Sequence, residues 1–184
     1  MEGARLMAWV NDRNASLQGP APSNLAARFD PPFTTLHIGM IAGGTAHNIT
    51  AADCRFAVER RVVPGEEIET LAAEFEAAVQ ALHTKIHAHR PEAGVHLERF
   101  FRVPALQPEP AGAAEALVRR LTGANAGGVV SCGTEAGFFQ AAGYSAIVCG
   151  PGDIAQAHQP DEYLELSQFQ AGHRFMSRLL EDVS

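Results

Sequence analysis

Apolar residues recur every three or four positions in the strongest pattern of the chain. Over residues 68–86 they are Ile68, Leu71, Ala72, Phe75, Ala78, Val79, Leu82 and Ile86. This period predicts an amphipathic helix with one buried face. The acidic residues of Pro64–Glu67 suit the positive end of a helix and predict its start. Arg90-Pro91 predicts its end, because proline cannot continue a helix.

A second helix and two strands are predicted before it. Residues 4–17 carry a weaker helical stripe, which a polar asparagine dilutes; its members are Leu6, Met7, Val10, Asn14 and Leu17. Thr34–Ile41 and Cys54–Val62 instead alternate polar and apolar residues, the period of half-buried strands. The turn-rich segment Ala42–Ile49 connects these two strands, which we expect to be partners.

A third alternating segment, Val95–Val103, follows the long helix. The order helix, strand, strand, helix, strand is that of a β-α-β-β-α-β ferredoxin-like unit without its first strand. Nothing before residue 4 can supply that strand. We therefore expect the chain to be a fragment, or a reading frame that starts late.

The second half begins after a proline-rich boundary at residues 104–110. Its predicted elements are helices at 112–121, 135–142 and 164–180 and strands at 128–131 and 146–149. The last helix is expected to turn one face inward, with Leu166, Phe169, Met176, Leu179 and Leu180. Alternating helices and strands predict an α/β unit with a parallel sheet. Two strands are too few for such a sheet, so this half is also expected to be incomplete.

Composition narrows the class of protein. The chain has 184 residues, 46% hydrophobic and 19% charged, which suits one ordinary domain or two small ones. A net charge of −7 argues against a nucleic-acid partner or an anionic membrane surface. The N-terminus is too short and interrupted for a signal peptide or membrane span. Three separated cysteines predict reduced thiols in a cytoplasmic protein, with Cys132 and Cys149 as small buried hydrophobes.

Two segments of the second half are candidates for chemistry. His158 lies in the loop Gly150–Tyr163, after a predicted strand, where open α/β sheets place their sites. Spacing alone favours the alternative, an exposed loop histidine without a chemical role, since zinc takes three or four protein ligands. Gly133–Gly137 follows another strand and opens a helix, whose free N–H groups could bind an anion or a carbonyl. The alternative for this segment is ordinary turn chemistry.

The first half offers further candidates. His83 and His87 are one helical turn apart and could hold a metal, although a polar face at a helix C-terminus is the favoured interpretation. Asn48 serves either the turn or a substrate oxygen. Arg60 and Arg61 face opposite sides of a strand, so one is expected to be solvated while the other could clamp a carboxylate.

Several segments, in this order, resemble one family. It is the family of co-catalytic zinc amidohydrolases and peptidases that includes acetylornithine deacetylases, succinyl-diaminopimelate desuccinylases and related carboxypeptidases. The matching segments are Phe33–Leu36, Gly43–Ile49, Glu59–Gly65, Gly133–Ala136 and Gly150–Glu165. The last segment is the longest, and it looks most like an acetylornithine deacetylase.

The resemblance implies a fold, a reaction and partners. Residues 1–103 would be most of a ferredoxin-like lid that forms a homodimer. Residues 104–184 would be the C-terminal part of a zinc-peptidase α/β domain. The complete enzyme would remove the acyl group from an N-acyl amino acid, above all N-acetylornithine in arginine biosynthesis. It would use two zinc ions, with cobalt as an alternative metal.

The resemblance also implies roles for individual residues. His158 matches the last metal-ligand histidine. Asn48 matches a lid asparagine that stabilises the oxyanion across the dimer, and Arg61 matches a lid arginine that binds the substrate carboxylate. The segment that would line the substrate pocket is Gly133, Thr134 and Glu135.

Departures from the family pattern limit the function expected of this chain. The other metal ligands and the general-base glutamate belong to an N-terminal segment that these residues do not contain. One histidine cannot hold two metal ions, so the chain alone is predicted to be inactive. The alternatives are a non-catalytic dimerisation module left by truncation, which could have the missing segment as a partner, and a deacylase of another N-acyl amino acid.

Overall fold

The computed structural model of the chain describes residues 2–19, 21–66 and 68–184. The chain divides into two compact units, Met1–Arg102 and Val103–Ser184. In order, the first unit contains helix α1 Gly3–Leu17, a 3-10 turn Ala26–Arg28, strands β1 Thr35–Gly43 and β2 Cys54–Arg61, and helix α2 Ile68–His89. The periodicities therefore predicted both helices and both strands, with ends shifted by a few residues.

The two strands form an antiparallel hairpin. Thr35 lies opposite Arg61 at its open end, and Gly43 lies opposite Cys54 at its closed end. The register is interrupted between Ile38 and Met40. A Cβ atom at Gly43 would lie 2.6 Å from the carbonyl oxygen of Asp53, so the two strands approach each other too closely there for a side chain.

The core of the first unit lies between its two helices and the hairpin. Leu6 of α1 forms a buried cluster with Val79 and Leu82 of α2. Half-buried apolar side chains pack around this cluster, namely Phe56, Phe75, Ala78, Ile86 and Val95. Burial of each leucine or valine contributes about 1.5–3 kcal/mol. Although α2 has 22 residues, no helix within the described ranges is long and apolar enough to cross a membrane.

Asn14, the polar residue in the stripe of α1, has a structural role. Its side-chain oxygen accepts a 2.9 Å hydrogen bond from the backbone N–H of Leu36 in β1. The Asn14 side chain therefore satisfies the backbone N–H of Leu36, which is not bonded to β2. Thr34, which is 1% exposed, accepts a bond from the N–H of Val63 at 3.0 Å and donates to Glu66 at 2.5 Å. These bonds tie the start of β1 to the turn before α2.

The third predicted strand of this unit, residues 95–103, is not formed. The segment runs back along α2 instead, through the contacts Val95–His83, Arg99–Glu76 and Arg102–Glu69. In a split β-α-β unit, a further strand lies between the strands before and after the helix. Among residues 2–19 and 21–34 no such strand is present. The expected ferredoxin-like sheet is therefore reduced to its hairpin, because residues 95–103 have no strand to pair with.

The second unit consists of three helices and their connections. They are α3 Ala113–Thr122, α4 Ala136–Ala141 and α5 Leu166–Asp182. Helix α3 contacts α5, where Arg120 pairs with Asp182 and Arg178 donates a 2.7 Å bond to the carbonyl of Leu121. Within residues 103–184, which the structure describes throughout, Leu121 is the buried large apolar residue.

The parallel sheet expected in this unit is not found. Residues 128–131 and 146–149 do not form strands, and the continuous described range 103–184 contains no strand at all. A strand is maintained by its ladder of hydrogen bonds, and even an isolated pair is marginal in water. The parallel sheet predicted for this half is therefore not formed within residues 103–184, because neither segment pairs with another strand there.

The burial expected in the second unit is also largely absent. Four of the five residues assigned to the inner face of α5 are exposed, namely Leu166, Phe169, Met176 and Leu180. Leu179 is half-buried. Cys132 and Cys149, expected to be buried, are exposed free thiols. These departures share a cause, since no sheet is present in this unit to cover the helix and the loops.

Candidate functional site

The predicted site residues fall into two groups. Asn48 and Arg61 lie in the first unit, while residues 133–135 and His158 lie in the second. Within the first unit the hairpin separates its two candidates. Arg61 is at the open end, and Asn48 lies beyond the closed end, which Gly43 and Cys54 define. At roughly 3.3 Å per residue, β2 alone spans about 23 Å, so one hairpin does not bring both residues to the same small ligand.

Arg61 is the last residue of β2 and has an exposed side chain. Its Nε donates a 2.9 Å hydrogen bond to Oε1 of Glu59. The neighbouring Arg60 lies on the opposite strand face and is half-buried. Burial lowers the pKa of Arg60, and the nearby Glu69 carboxylate partly offsets this. The exposed guanidinium of Arg61 is therefore the better placed of the two for a soluble carboxylate.

Glu59 and His37 accompany Arg61 on the exposed face of the hairpin. His37 lies directly opposite Glu59 in the register, and its Nε2 is 3.4 Å from Oε2 of Glu59. We call His37, Glu59 and Arg61 the hairpin row. The sequence prediction named Arg61 but missed the other two residues. The two-residue period of a strand could have found Glu59, because positions 59 and 61 share a face.

Asn48 occupies the turn that joins the two strands. The backbone N–H of Ile49 donates a 3.2 Å bond to the carbonyl of Ala46, so Asn48 is the third residue of a four-residue turn. Asparagine suits such a position, which agrees with its structural interpretation. Its side chain is exposed, as are the large apolar side chains of Met40, Ile41 and Ile49. The turn therefore presents an amide to solvent, and these exposed apolar side chains lie close to it in the sequence.

The segment Gly133–Gly137 forms the entry to α4. The hydroxyl of Thr134 accepts a 3.3 Å hydrogen bond from the N–H of Ala136, the first residue of the helix. One of the donors proposed for a ligand is therefore already satisfied. A Cβ atom at Gly137 would collide with the carbonyl of Pro104, which explains glycine at this buried position. Gly133 and Glu135 are exposed.

His158 is exposed and has a left-handed backbone, with φ of 60°. Its backbone N–H donates a 3.1 Å bond to Oε2 of Glu162, which fastens the loop locally. Such a backbone conformation is uncommon for residues other than glycine. The flanking residues form a hollow of about 380 Å³, whose polar lining includes Asp153, Gln156, Gln159, Asp161, Glu162 and Tyr163.

The metal predicted for His158 needs more ligands than this loop supplies. Zinc in proteins is held by three or four side chains, usually histidine, cysteine or carboxylate. No group of three or more such side chains with suitable placement occurs in the described residues, 2–19, 21–66 and 68–184. His158 can therefore contribute one ligand, and the described chain does not make a complete metal site.

Comparison with known proteins agrees with the architecture of the first unit. Residues 2–87 match the family described as the peptidase dimerisation domain. This range runs from the start of α1 almost to the end of α2, and so includes the core and the hairpin.

Similar proteins of known name extend the match into the second unit. An acetylornithine deacetylase of Myxococcus xanthus is 36% identical over 143 residues, covering 74% of this chain and 34% of the relative. An N-acetyl-L-citrulline deacetylase of Xanthomonas campestris is 33% identical over 153 residues, covering 78% and 38%. An acetylornithine deacetylase of Proteus mirabilis is 31% identical over 158 residues, covering 82% and 38%.

Residues 2–87 are therefore similar to the peptidase dimerisation domain, and most of the chain is similar to part of the acetylornithine deacetylases. The chain spans 34–38% of the length of the three relatives just described.

Proposed function

We propose that the chain forms the dimerisation and substrate-anchoring part of a metal-dependent amidohydrolase. This enzyme removes the acyl group from an N-acyl amino acid, with N-acetylornithine of arginine biosynthesis as the substrate. The observation that carries the proposal is the exposed guanidinium of Arg61 on the hairpin of a peptidase dimerisation domain. The names of the similar proteins support the reaction and the substrate class.

Arg61 anchors the α-carboxylate of the substrate. A guanidinium presents a planar fork of donors that matches a carboxylate, and such charge-assisted bonds are stronger than neutral ones. Its place at the end of a paired strand gives the backbone of Arg61 a fixed position.

Asn48 acts in the site of a second copy of the chain. The hairpin holds it about 23 Å or more from Arg61 of the same copy, as the strand rise implies. In a homodimer built through the first unit, an Asn48 of one copy can complete the site of the other, where its amide stabilises the oxyanion of the substrate. Exposed apolar side chains near this turn favour association, and they are Met40, Ile41 and Ile49.

His158 supplies one ligand to the metal, zinc or cobalt, and Gly133, Thr134 and Glu135 line the substrate pocket. The remaining ligands and the general base come from a further segment of the enzyme, outside these 184 residues. Two observations support this: the described residues hold no three-ligand cluster, and the match covers only 34–38% of the relatives.

A second substrate is favoured by one specific comparison. The relative named N-acetyl-L-citrulline deacetylase is 33% identical over 153 residues, a similarity close to that of the acetylornithine deacetylases. Citrulline and ornithine share the α-carboxylate and differ at the far end of the side chain. Arg61 would therefore serve both substrates equally, and selection between them would depend on other residues.

The test is binding of N-acetyl-L-ornithine to the 184-residue protein, followed by chemical shifts in NMR. Arg61→Ala should remove most of the preference for the acid over its α-carboxamide analogue, because the anchoring cation is lost. Arg55→Ala is the matched control, since Arg55 is also an exposed arginine of β2 but lies six residues away. Equal loss in both variants, or none in Arg61→Ala, would refute Arg61 as the anchor.

A further inference from the structure

Glu59 lies between two basic side chains of the hairpin row. Its Oε1 accepts the 2.9 Å bond from Nε of Arg61, while Oε2 lies 3.4 Å from Nε2 of His37. The exposed fractions of these side chains are 45% for Glu59, 57% for Arg61 and 51% for His37. Each oxygen of the carboxylate therefore has its own basic neighbour, in an exposed position.

The hairpin itself produces this arrangement. Glu59 and Arg61 are two residues apart on β2, so their side chains share one face of the strand. His37 is the cross-strand partner of Glu59, and Thr35 is the partner of Arg61. Directly opposite residues on one face have Cβ atoms about 4.5–5.5 Å apart. The ladder of hydrogen bonds thus fixes the backbone positions of all three residues.

Such a contact restricts a long and flexible side chain. Binding costs about 0.5–1.5 kcal/mol for each rotamer-rich side chain that becomes immobilised. A carboxylate that already holds Nε of Arg61 reduces that cost for a later ligand.

We propose that Glu59, which lies beside His37 across the hairpin, is a positioning residue that sets the orientation of Arg61 for the substrate carboxylate. The ligand named here rests on the proposed function of Arg61, whereas the positioning contact does not. The rival role for Glu59 is inhibition, in which its carboxylate occupies Arg61 in place of the substrate. The two roles predict opposite effects of removing the charge.

The first experiment compares dissociation constants of N-acetyl-L-ornithine and its α-carboxamide for wild type, Glu59→Gln and Arg61→Ala. Positioning predicts that Glu59→Gln lowers the preference for the acid about two- to fivefold, the size expected for an exposed ion pair. Arg61→Ala should remove most of the preference. A preference that is unchanged or stronger in Glu59→Gln overturns the proposal.

A matched control is available in the same unit. Glu76 pairs with Arg99, and the exposed fractions of 44% and 54% resemble those of Glu59 and Arg61. Glu76→Gln removes an equally exposed ion pair without touching the hairpin row, so its preference for the acid should equal that of wild type. An equal loss in Glu76→Gln and Glu59→Gln would show a general charge effect and would also overturn the proposal.

The second experiment measures proton exchange at Nε of Arg61 by NMR without any ligand. Positioning predicts slow exchange in wild type, faster exchange in Glu59→Gln and partial recovery in Glu59→Asp. This exchange result supports the positioning role even if N-acetyl-L-ornithine does not bind. Failure of the ligand to bind would count against the proposed function and not against the positioning role. Fast exchange in wild type, or no change in Glu59→Gln, contradicts the positioning contact directly.

Discussion

The two units differ in how they use their apolar residues. In the first, Leu6, Val79 and Leu82 form a buried cluster between the helices and the hairpin. In the second, α5 leaves Phe169 and Leu180 exposed, at 59% and 63%. Monomeric proteins rarely expose large contiguous apolar patches. The first unit therefore has a core of its own, whereas the second leaves large apolar side chains of α5 exposed to solvent.

This contrast matters for function because the candidate site residues are divided between the two units. Arg61 lies on a hairpin whose register and core fix the backbone. His158 lies on a loop of the second unit, fastened by a local bond to Glu162. A ligand site needs supporting residues that hold its geometry. The proposed anchor Arg61 thus lies on a supported backbone, whereas the described residues bring no three metal ligands together.

The largest expected effect compares one leucine from each unit. Leu82→Ala should lower the free energy of unfolding by about 2–5 kcal/mol, because it leaves a cavity in the cluster. Leu180→Ala should change it by less than about 0.5 kcal/mol, because that side chain is largely exposed. Chemical denaturation of both variants measures the difference. Equal losses would show that the second unit has a core comparable to that of the first.

Local periodicity explains which elements could be predicted from the sequence. A helix satisfies its own hydrogen bonds, so the stripes of α1 and α2 sufficed, and so did the patterns of the helices in the second unit. The hairpin could be predicted because its two strands are adjacent in the chain. Residues 95–103, 128–131 and 146–149 also have strand-like patterns, but a strand depends on a partner that a local pattern does not reveal.

The candidate site residues were named from the matching segments and not from a local pattern. The matching segments pointed to Arg61, Asn48 and His158, and the structure shows each of them exposed. Their roles remain predictions. Glu59 and His37 were missed because their contact with Arg61 depends on the cross-strand register, although the strand period alone pointed to Glu59.

The smallest expected effect concerns the contact between α3 and α5. A hydrogen bond from Arg120 lowers the pKa of Asp182. Because the folded-state pKa is lowered, the stabilisation is present above the unfolded value of about 3.9 and is lost as the pH falls through the folded value. The protection of the α5 amides, measured as their exchange rate relative to an unfolded chain at the same pH, should therefore fall slightly on acidification from about pH 5 to about pH 2.

Asp182→Asn is the variant that isolates this effect. It should exchange faster than wild type at about pH 5 and should lose part of the pH dependence, since the charged partner of Arg120 is gone. Comparison with wild type at each pH cancels the contribution of Glu109, whose pKa is lowered by a hydrogen bond from Ser145. An identical pH dependence in both proteins would show that the ion pair adds nothing to this helix contact.

The central claim is that the chain carries an anchoring and dimerisation part but not a complete metal site. The direct measurement is hydrolysis of N-acetyl-L-ornithine by the purified 184-residue protein, loaded with zinc or with cobalt. The account predicts no hydrolysis above the metal-only background, because no three-ligand cluster exists in the described residues. Hydrolysis above that background, abolished by His158→Ala, would contradict it.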